Sequence, residues 1–439
     1  MAGFFRAQIN TGFGMRQAGR GLLSLLGFGM LLGLTACIQL PEVQAKKDKP
    51  VLVYPLPPDE ARFIYERTIS SNFDVDTSSI QENSPLRNIL TGENAMAEGF
   101  EPLGKPYAVT VNRGRIFVSD TVARVVKVFD VPQGRYFTIG AEEPGKLAKP
   151  IGIDTDAAGN LYVADASAKV IMVYDRDGKF LRQLASQKVG EPPQFSRLVS
   201  VAVDKKGEKI YAVDIGGSRS AIETHRIRVY DAHSGAHLFD IGKRGEGDGE
   251  FNLLRDIAVG ENGELYVVDG GNFRIQVLDA EGKFLRKFGK VGKQLGNFGR
   301  PKEIAVGPDG NLYIVDSMPG NFQIFNPQGE LLMYIGGSST LDGPARYSLL
   351  SGIAVDEDGR IYVIDQTFRK LEIFRPAALS EHDGYLGSKD KQAGQKPGQG
   401  AAEQSVPVKA APVGNGVVPP AGKASGESPE QTILDDEGL

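Results

Sequence analysis

Three features of the sequence predict an all-β chain that folds as a six-bladed β-propeller with four-stranded antiparallel blades. A short apolar phrase ending in aspartate occurs six times, and successive aspartates are 45 to 55 residues apart. Such a period is typical of propellers and other repeat folds. Around each copy lie further short apolar runs joined by Gly, Asn and Asp turns, the pattern of an antiparallel meander. The six copies are Ile116–Asp120, Leu161–Asp165, Ile210–Asp214, Leu265–Asp269, Leu312–Asp316 and Ile361–Asp365.

The ends of the repeat region predict how the ring closes. The sixth unit has only three recognisable strands, because Pro376 ends its pattern shortly after Leu371–Phe374. An isolated strand pattern, RFIYERTI, begins at Arg62 near the other end of the propeller region. We expect residues 62–70 to supply the missing outer strand of blade 6, which removes an open sheet edge. The alternative is a sixth blade of three strands.

The unit Pro301–Leu332 resembles an NHL repeat, and residues 61–375 as a whole resemble the six-bladed NHL-repeat propeller lipoproteins of bacteria. The resemblance implies the fold but no single activity, because propellers host many functions. Relatives in that family are often encoded near multihaem cytochromes. The resemblance therefore permits a role in the assembly or docking of an envelope complex.

The N-terminal segment, residues 1–36, has the pattern of a bacterial lipoprotein signal peptide. Arginines precede an apolar run at 22–34 that is interrupted by glycines and is too short to favour a spanning helix. The run leads into Leu34-Thr35-Ala36-Cys37, which matches a lipobox, and Cys37 is the only cysteine. We expect acylation of Cys37 to anchor the protein to a membrane. Isoleucine at position 38 favours the outer membrane by analogy with enterobacterial sorting; an ordinary cleaved signal is the alternative.

Three further segments flank or interrupt the predicted propeller. Residues 37–60 are rich in Lys and Pro and predict a stiff tether. The polar region after the first strand contains Ser84–Leu90, where an N-cap serine and a following proline predict a short helix. Residues 376–439 contain few large apolar side chains and predict a disordered tail.

Composition excludes several classes of function. The formal net charge is −5, and a weakly acidic body argues against general binding of nucleic acid. One cysteine forms no disulfide within the chain, and the absence of CxxCH excludes a covalent c-type haem. No nucleophile–base pair or phosphate loop is present, and we expect a monomer without a resident cofactor.

Repetition also separates structural from functional residues. The aspartates that end the six repeated phrases occur in every blade, so we expect them to bind backbone amides of the following turn. Function is expected where the blades differ, at the start of each inner strand on the channel rim. The acids among these rim residues suit a cation or an amine and the bases suit an acid, but the four charges alternatively neutralise one another as a salt-bridge network. The candidate rim residues are Tyr107, Arg255, Asp256, Lys302 and Glu303.

A second candidate site is a basic run near the junction of blades 4 and 5. No carboxylate interrupts the sequence between Lys283 and Lys302. Such a run suits an acidic partner or lipid headgroups; the alternative is a set of ordinary solvated side chains. Besides Lys302, the run consists of Lys283, Arg286, Lys287, Lys290, Lys293 and Arg300.

Two functional hypotheses follow. The first is a lipid-anchored, non-catalytic scaffold in the cell envelope, on the periplasmic or surface side, that binds an envelope protein, a glycan or a peptide. The second is a metal-dependent lactonase- or lyase-like enzyme with a divalent cation at the channel mouth. Gluconolactonase-like propellers hold such a metal, and Asp256 and Glu303 match only part of their site. No histidine lies on a predicted inner strand, which disfavours the zinc site of peptide-amidating lyases. The identity of any metal stays open.

Overall fold

The fold is known from a computed structural model, which describes residues 51–76, 99–185, 195–216 and 224–387. The described residues form six antiparallel sheets arranged as the blades of a propeller, which confirms the predicted architecture. None of their helices is long and apolar enough to cross a bilayer. The predicted signal peptide, Cys37 and the predicted helix Ser84–Leu90 lie outside the described residues.

Each blade runs from an inner strand at the axis to an outer strand at the rim. The inner strands are Pro106–Asn112, Pro150–Thr155, Leu198–Val203, Leu254–Val259, Pro301–Val306 and Leu350–Val355. The second strands are Arg115–Asp120, Leu161–Asp165, Lys209–Ile215, Leu265–Asp269, Leu312–Asp316 and Ile361–Asp365. The third strands are Val125–Asp130, Val170–Tyr174, His225–Asp231, Arg274–Leu278, Asn321–Phe325 and Lys370–Pro376. The outer strands of blades 1 to 5 are Arg135–Ile139, Phe180–Leu184, His237–Ile241, Phe284–Phe288 and Leu331–Ile335.

The packing of blades explains which strands are uniformly apolar. The second strand of blade 4 is buried along its whole length because both of its faces meet a neighbour. Leu265 and Val267 pack against blade 3, whereas Tyr266 and Val268 pack against blade 5. The outer strand Phe284–Phe288 instead alternates between half-buried and exposed positions, since one side meets solvent. The apolar core is therefore a ring of interfaces between sheets.

The N-terminal strand closes the ring as predicted. Phe63–Ile69 pairs antiparallel with Lys370–Pro376, placing Ile69 opposite Leu371. Blade 6 thus has four main strands, the outermost taken from the other end of the propeller. A short strand, Val53–Tyr54, extends the sheet by pairing with Ile64 and Phe63. This strand lies inside the segment predicted as a tether. The prediction missed it because the proline-rich composition of the segment hides a short apolar strand that pairs with the edge of blade 6.

A buried arginine fastens this closure. Arg360 is fully buried, and its guanidinium binds Glu66 on the N-terminal strand at 2.9 Å and Asp358 at 3.2 Å. It also donates to the backbone oxygen of Asp383 at 2.8 Å. Residues 377–387 therefore pack at this end of the propeller, with Leu386 buried, although overall composition assigns them to the tail. The prediction missed them because a composition average over residues 376–439 hides one short packed segment.

The strand order gives the disc two faces of different construction. The upper face carries the loops between blades and the turns between second and third strands. The lower face carries the turns between inner and second strands and between third and outer strands. On the upper face, two loops are closed by short parallel ladders and a third by the bridge between Val291 and Phe298. The ladders pair Lys243–Arg244 with Glu250–Phe251 and Gly337–Ser338 with Arg346–Tyr347. Two short 3-10 turns, Asn72–Asp74 and Gly270–Asn272, lie at this face.

Arg360→Met tests the fastening at ring closure. Removing the guanidinium leaves the Glu66 carboxylate buried without its partner, and loss of one member of a buried pair costs about 3–5 kcal/mol. We expect urea unfolding monitored by circular dichroism to show a loss of that size. The control variant Lys206→Met removes an exposed lysine from a lower-face turn and is expected to change stability by less than about 0.5 kcal/mol. Equal effects of the two variants would contradict the role of Arg360.

Candidate functional site

The inner strands surround an axial channel that is widest at the lower face. Its middle section has a volume of ≈ 120 Å³ and is lined by inner strands of all six blades. The lower mouth has a volume of ≈ 480 Å³, whereas the upper mouth narrows to ≈ 10 Å³. About 10–15 Å³ is the space that one water needs. A ligand larger than water therefore meets the channel from the lower side.

Two predicted rim carboxylates link neighbouring blades. Asp256, on blade 4, accepts hydrogen bonds from the Ser200 hydroxyl of blade 3 at 2.5 Å and from the Ile304 amide of blade 5 at 2.9 Å. Glu303, on blade 5, accepts one from the Ile353 amide of blade 6 at 3.1 Å. An inner strand has a partner strand on one side only, so its channel-facing amides need another acceptor. These side chains supply it.

A third channel carboxylate, Asp154, escaped the sequence reasoning. It accepts hydrogen bonds from the Val203 amide of the next blade at 2.9 Å and from the Thr155 amide at 2.8 Å. Only the first residues of each inner strand were compared between blades in the sequence. In blade 2 the compared position is Gly152, and Asp154 lies two residues beyond it. Extending the same comparison would have found it, because the equivalent residues of blades 3 to 6 are all alanine. Those residues are Ala202, Ala258, Ala305 and Ala354.

Burial favours the protonated forms of these carboxyls. It raises the pKa of Asp154 and of Asp256 to about 6. Burial also raises the pKa of Glu303 well above its usual range, and the nearby Asp256 charge acts in the same direction. Hydrogen bonds from backbone amides oppose these shifts without cancelling them. The channel therefore changes its charge within the neutral and mildly acidic range.

The structure brings the five predicted rim residues to one end of the channel. Tyr107, Arg255, Lys302 and Glu303 line the upper mouth, and Asp256 lies just below it. Arg255 and Lys302 both make polar or electrostatic contacts there. Burial raises the pKa of Tyr107 to about 12, so its phenol stays protonated. The upper mouth is thus a constriction filled by polar side chains.

Four of the repeated aspartates, Asp120, Asp165, Asp316 and Asp365, bind amides of the following turn as predicted. Asp316 is fully buried and accepts a hydrogen bond from the Met318 amide of the following turn at 3.2 Å. It also binds the amides of Gly299 and Arg300, at 2.6 and 2.7 Å. Each such aspartate therefore joins the end of the second strand to the entrance of the inner strand. This second set of partners was not predicted, because it lies about 16 residues earlier in the chain.

The predicted basic run is divided between different surfaces. Arg286, on an outer strand, forms a bidentate pair with Glu264 at 2.8 and 2.9 Å. Lys287 pairs with Asp248 at 2.6 Å. The other members lie apart from these two: Lys283 ends a lower-face turn, while Lys290, Lys293 and Arg300 lie in an upper-face loop. A run that is continuous in sequence is therefore not one continuous surface.

The positions of His225 and the acidic side chains bear on metal binding. His225 lies on a third strand, where its Nδ1 accepts a hydrogen bond from the Leu253 amide at 3.1 Å, and burial lowers its pKa. Across the described ranges, no group of three or more His, Cys, Asp or Glu side chains is placed to hold a metal ion. Asp154, Asp256 and Glu303 each serve a separate pair of blades.

Comparison with known proteins agrees with the fold. The NHL repeat model matches residues 251–278, which include the inner, second and third strands of blade 4. A search of curated protein sequences finds no significant match. A protein of unknown function from Bacteroides thetaiotaomicron is similar in structure, with a TM-score of 0.50 and 14% identity over 64% of this chain and 71% of that one.

Two enzymes are similar at a lower level. Streptogramin B lyase has a TM-score of 0.46 and 15% identity, covering 63% of this chain and 95% of its own. A gluconolactonase from Xanthomonas campestris has a TM-score of 0.47 and 15% identity, covering 62% and 86%. Identities this low show a shared fold and assign no activity. The chain is thus a six-bladed propeller that carries an NHL repeat.

The raised pKa of Asp256 predicts a stability that falls with rising pH. The folded state binds the Asp256 proton more tightly than the unfolded state does. Protonated Asp256 therefore adds to the free energy of unfolding, fully below pH 3.8, and this contribution is lost as the pH rises through about 6. Two pKa units correspond to about 2.7 kcal/mol. We expect Asp256→Asn to reduce the fall in the free energy of unfolding between pH 4 and 7 by about 2–3 kcal/mol. Urea unfolding across this range measures it.

The matched control for this measurement is Glu330→Gln, which neutralises an exposed carboxyl in a lower-face turn. It is expected to leave the slope unchanged. A parallel slope for Asp256→Asn and the natural protein would show that Asp256 is not the group being titrated.

Proposed function

We propose that the protein is an acylated lipoprotein of the bacterial envelope whose propeller is a non-catalytic binding platform. The observation that carries this proposal is that the channel carboxylates serve to join neighbouring blades. Asp154, Asp256 and Glu303 each accept a backbone amide from the neighbouring blade. Groups that hold the ring together are poorly suited to exchange ligands with a substrate or a metal. Recognition then belongs to the faces of the disc, where rigid strands present variable turns.

The lower face is the better shaped of the two to receive a partner. Its mouth of ≈ 480 Å³ is lined by turns from several blades, including Glu261 and Glu357 as well as Arg113 and Lys205. Together, the lower-face turns of the six blades contain fourteen carboxylates but only seven Lys and Arg residues. A negative, concave surface attracts positively charged ligands. The proposed partner is therefore a basic segment of an envelope protein or a basic peptide.

The anchor is proposed from the sequence at Cys37. Acyl chains on this thiol hold the protein to a leaflet without a spanning helix. Thirteen residues, 38–50, separate Cys37 from Val51, where the described structure begins beside the outer edge of blade 6. The propeller in this proposal is tethered near the membrane through its rim, and the tether leaves the lower face accessible to a partner.

The metal-dependent enzyme remains a second candidate because of one observation. Three channel carboxyls with raised pKa values resemble the perturbed groups common at catalytic sites. Their separate hydrogen-bond partners favour the structural interpretation. Metal analysis of the purified protein separates the two: a stoichiometric divalent ion lost in Asp256→Asn supports the enzyme, and its absence from a protein that still captures its partner supports the platform.

Acylation and partner capture test the platform together. We expect labelled fatty acid to be incorporated into the natural protein and not into Cys37→Ser. With the propeller as bait, envelope extracts should yield a specific partner whose capture falls at least tenfold in Glu261→Lys combined with Glu357→Lys. The matched control, Glu142→Lys combined with Glu143→Lys, makes the same charge change in an upper-face loop and should retain capture. Equal capture by both variants would place binding elsewhere.

A further inference from the structure

The upper face combines exposed apolar side chains with an excess of positive charge. Apart from Phe100, whose ring packs at a tilt against Phe73, six large apolar side chains are exposed on its loops and turns. They are Val122, Leu253, Val291, Leu295, Met318 and Leu341. The lower-face turns within the blades present none among the described residues; Leu56, in the peripheral turn before Phe63, is exposed at that end. The two faces therefore differ in chemistry.

The exposed apolar residues are held by rigid loops. In the loop that carries Val291 and Leu295, Gln323 accepts a hydrogen bond from the Gly296 amide at 2.7 Å and donates one to the Asn297 oxygen at 2.9 Å. Gln323 itself is buried. Val291 is nevertheless 64% exposed. A buried polar side chain thus fixes a loop whose aliphatic tip points outward.

The neighbouring loop between blades 5 and 6 has the same construction. The buried Lys370 donates to the Gly343 oxygen at 2.7 Å, and the buried Glu372 accepts from the Ala345 amide at 3.0 Å. Leu341 lies between the ladder strand Gly337–Ser338 and Gly343, and its side chain is 67% exposed. Two adjacent loops therefore present aliphatic side chains from fixed backbones, which lowers the ordering cost when they bind a surface.

Charge on the upper face is predominantly positive. Its described loops and turns contain thirteen Lys and Arg residues and nine carboxylates, and the channel rim adds two residues of each sign. The excess is concentrated beside Val291 and Leu295, where Lys290 and Lys293 share a loop without a carboxylate. The overall charge of −5 hides this distribution. An occupant of this face must therefore be negatively charged and must accept isolated aliphatic side chains.

We propose that the upper face docks on an anionic phospholipid surface. Aliphatic side chains entering the boundary between headgroups and acyl chains, surrounded by lysines, are the pattern of interfacial membrane binding. A protein partner would instead favour a packed centre with Tyr, Trp or Arg anchors. This inference rests on the anchor of the proposed function. It leaves the acidic lower face directed away from the bilayer, free for its basic partner.

The position of the anchor allows this orientation. The backbone oxygen of Leu52 accepts a hydrogen bond from Tyr65, so the chain enters at the rim of blade 6, between the two faces. The chain from Cys37 to Val51, with thirteen residues between them, spans at most about 50 Å when extended. That reach exceeds the length of a six-residue inner strand such as Leu254–Val259, about 20 Å, which crosses the disc from one face to the other. Anchoring also gives the face a high effective concentration at the lipid, so that modest affinity suffices.

Site-specific fluorescence on the acylated full-length protein tests the proposal. The protein is reconstituted through its own anchor into vesicles of phosphatidylglycerol and phosphatidylethanolamine, and vesicle flotation reports the anchor. A polarity-sensitive dye is attached through Thr340→Cys on the upper face or Gln328→Cys on the lower face; acylated Cys37 does not react. We expect the emission of the upper dye to shift to shorter wavelength in these vesicles and not in phosphatidylcholine. The lower dye is expected to remain unshifted in both.

Charge reversal supplies the matched comparison. Lys290→Glu combined with Lys293→Glu is expected to lower the ratio of docked to undocked upper dye at least tenfold, since each basic residue near an anionic surface contributes about fivefold. Lys179→Glu combined with Lys206→Glu makes the same change on the lower face and should have little effect.

An unshifted upper dye in protein that floats with anionic vesicles overturns the proposal. The proposal is also overturned if the emission shift of the upper dye depends on the amount of protein per vesicle and not on lipid charge. That result would assign the upper face to contact with a second copy of the chain. Partner capture by the lower face is measured separately, so either idea can fail alone.

Discussion

The antiparallel ladder between Phe63–Ile69 and Lys370–Pro376 is the constraint on which the closed ring depends. Each blade buries one face against the blade before it and the other against the blade after it. Ile69 lies in the cluster that joins blade 6 to Val109 of blade 1. Loss of the ladder would therefore expose a sheet edge and weaken the last interface at the same time. The buried Arg360 binds both this strand and residue 383, so the two ends of the propeller are fastened at one point.

Repetition made the architecture readable from sequence. Six copies of one phrase give six independent estimates of the same strand, and their spacing fixes the size of a blade. The missing strand of the sixth unit then has one available supplier, the isolated pattern at 62–70. The strand-end aspartates could be assigned for the same reason. A residue such as Asp316, which recurs in every blade, serves something that every blade needs.

Neighbours across blades were beyond the reach of this reasoning. The amide that Asp154 binds belongs to Val203, 49 residues later, and no local pattern joins the two. The pairing of Arg286 with Glu264 likewise depends on how the outer strand lies relative to the turn that carries Glu264, which the sequence does not specify. Composition also failed at the ends of the propeller, where Val53–Tyr54 and residues 377–387 pack although their surroundings are rich in Pro or Gly. Short packed segments contribute too little to an average to be detected.

The asymmetry of the disc arises from topology, because turns that alternate along the chain are sorted to opposite faces. A sequence average mixes them, and only the fold separates the basic, apolar loops from the acidic turns. The separation has a physical consequence at a charged membrane. An inner strand of six residues, such as Leu254–Val259, spans about 20 Å. The field of an anionic surface decays over about 8 Å at physiological salt. When the upper face meets the lipid, the lower face therefore lies more than two decay lengths away, and its carboxylates neither oppose docking nor lose their attraction for a basic partner.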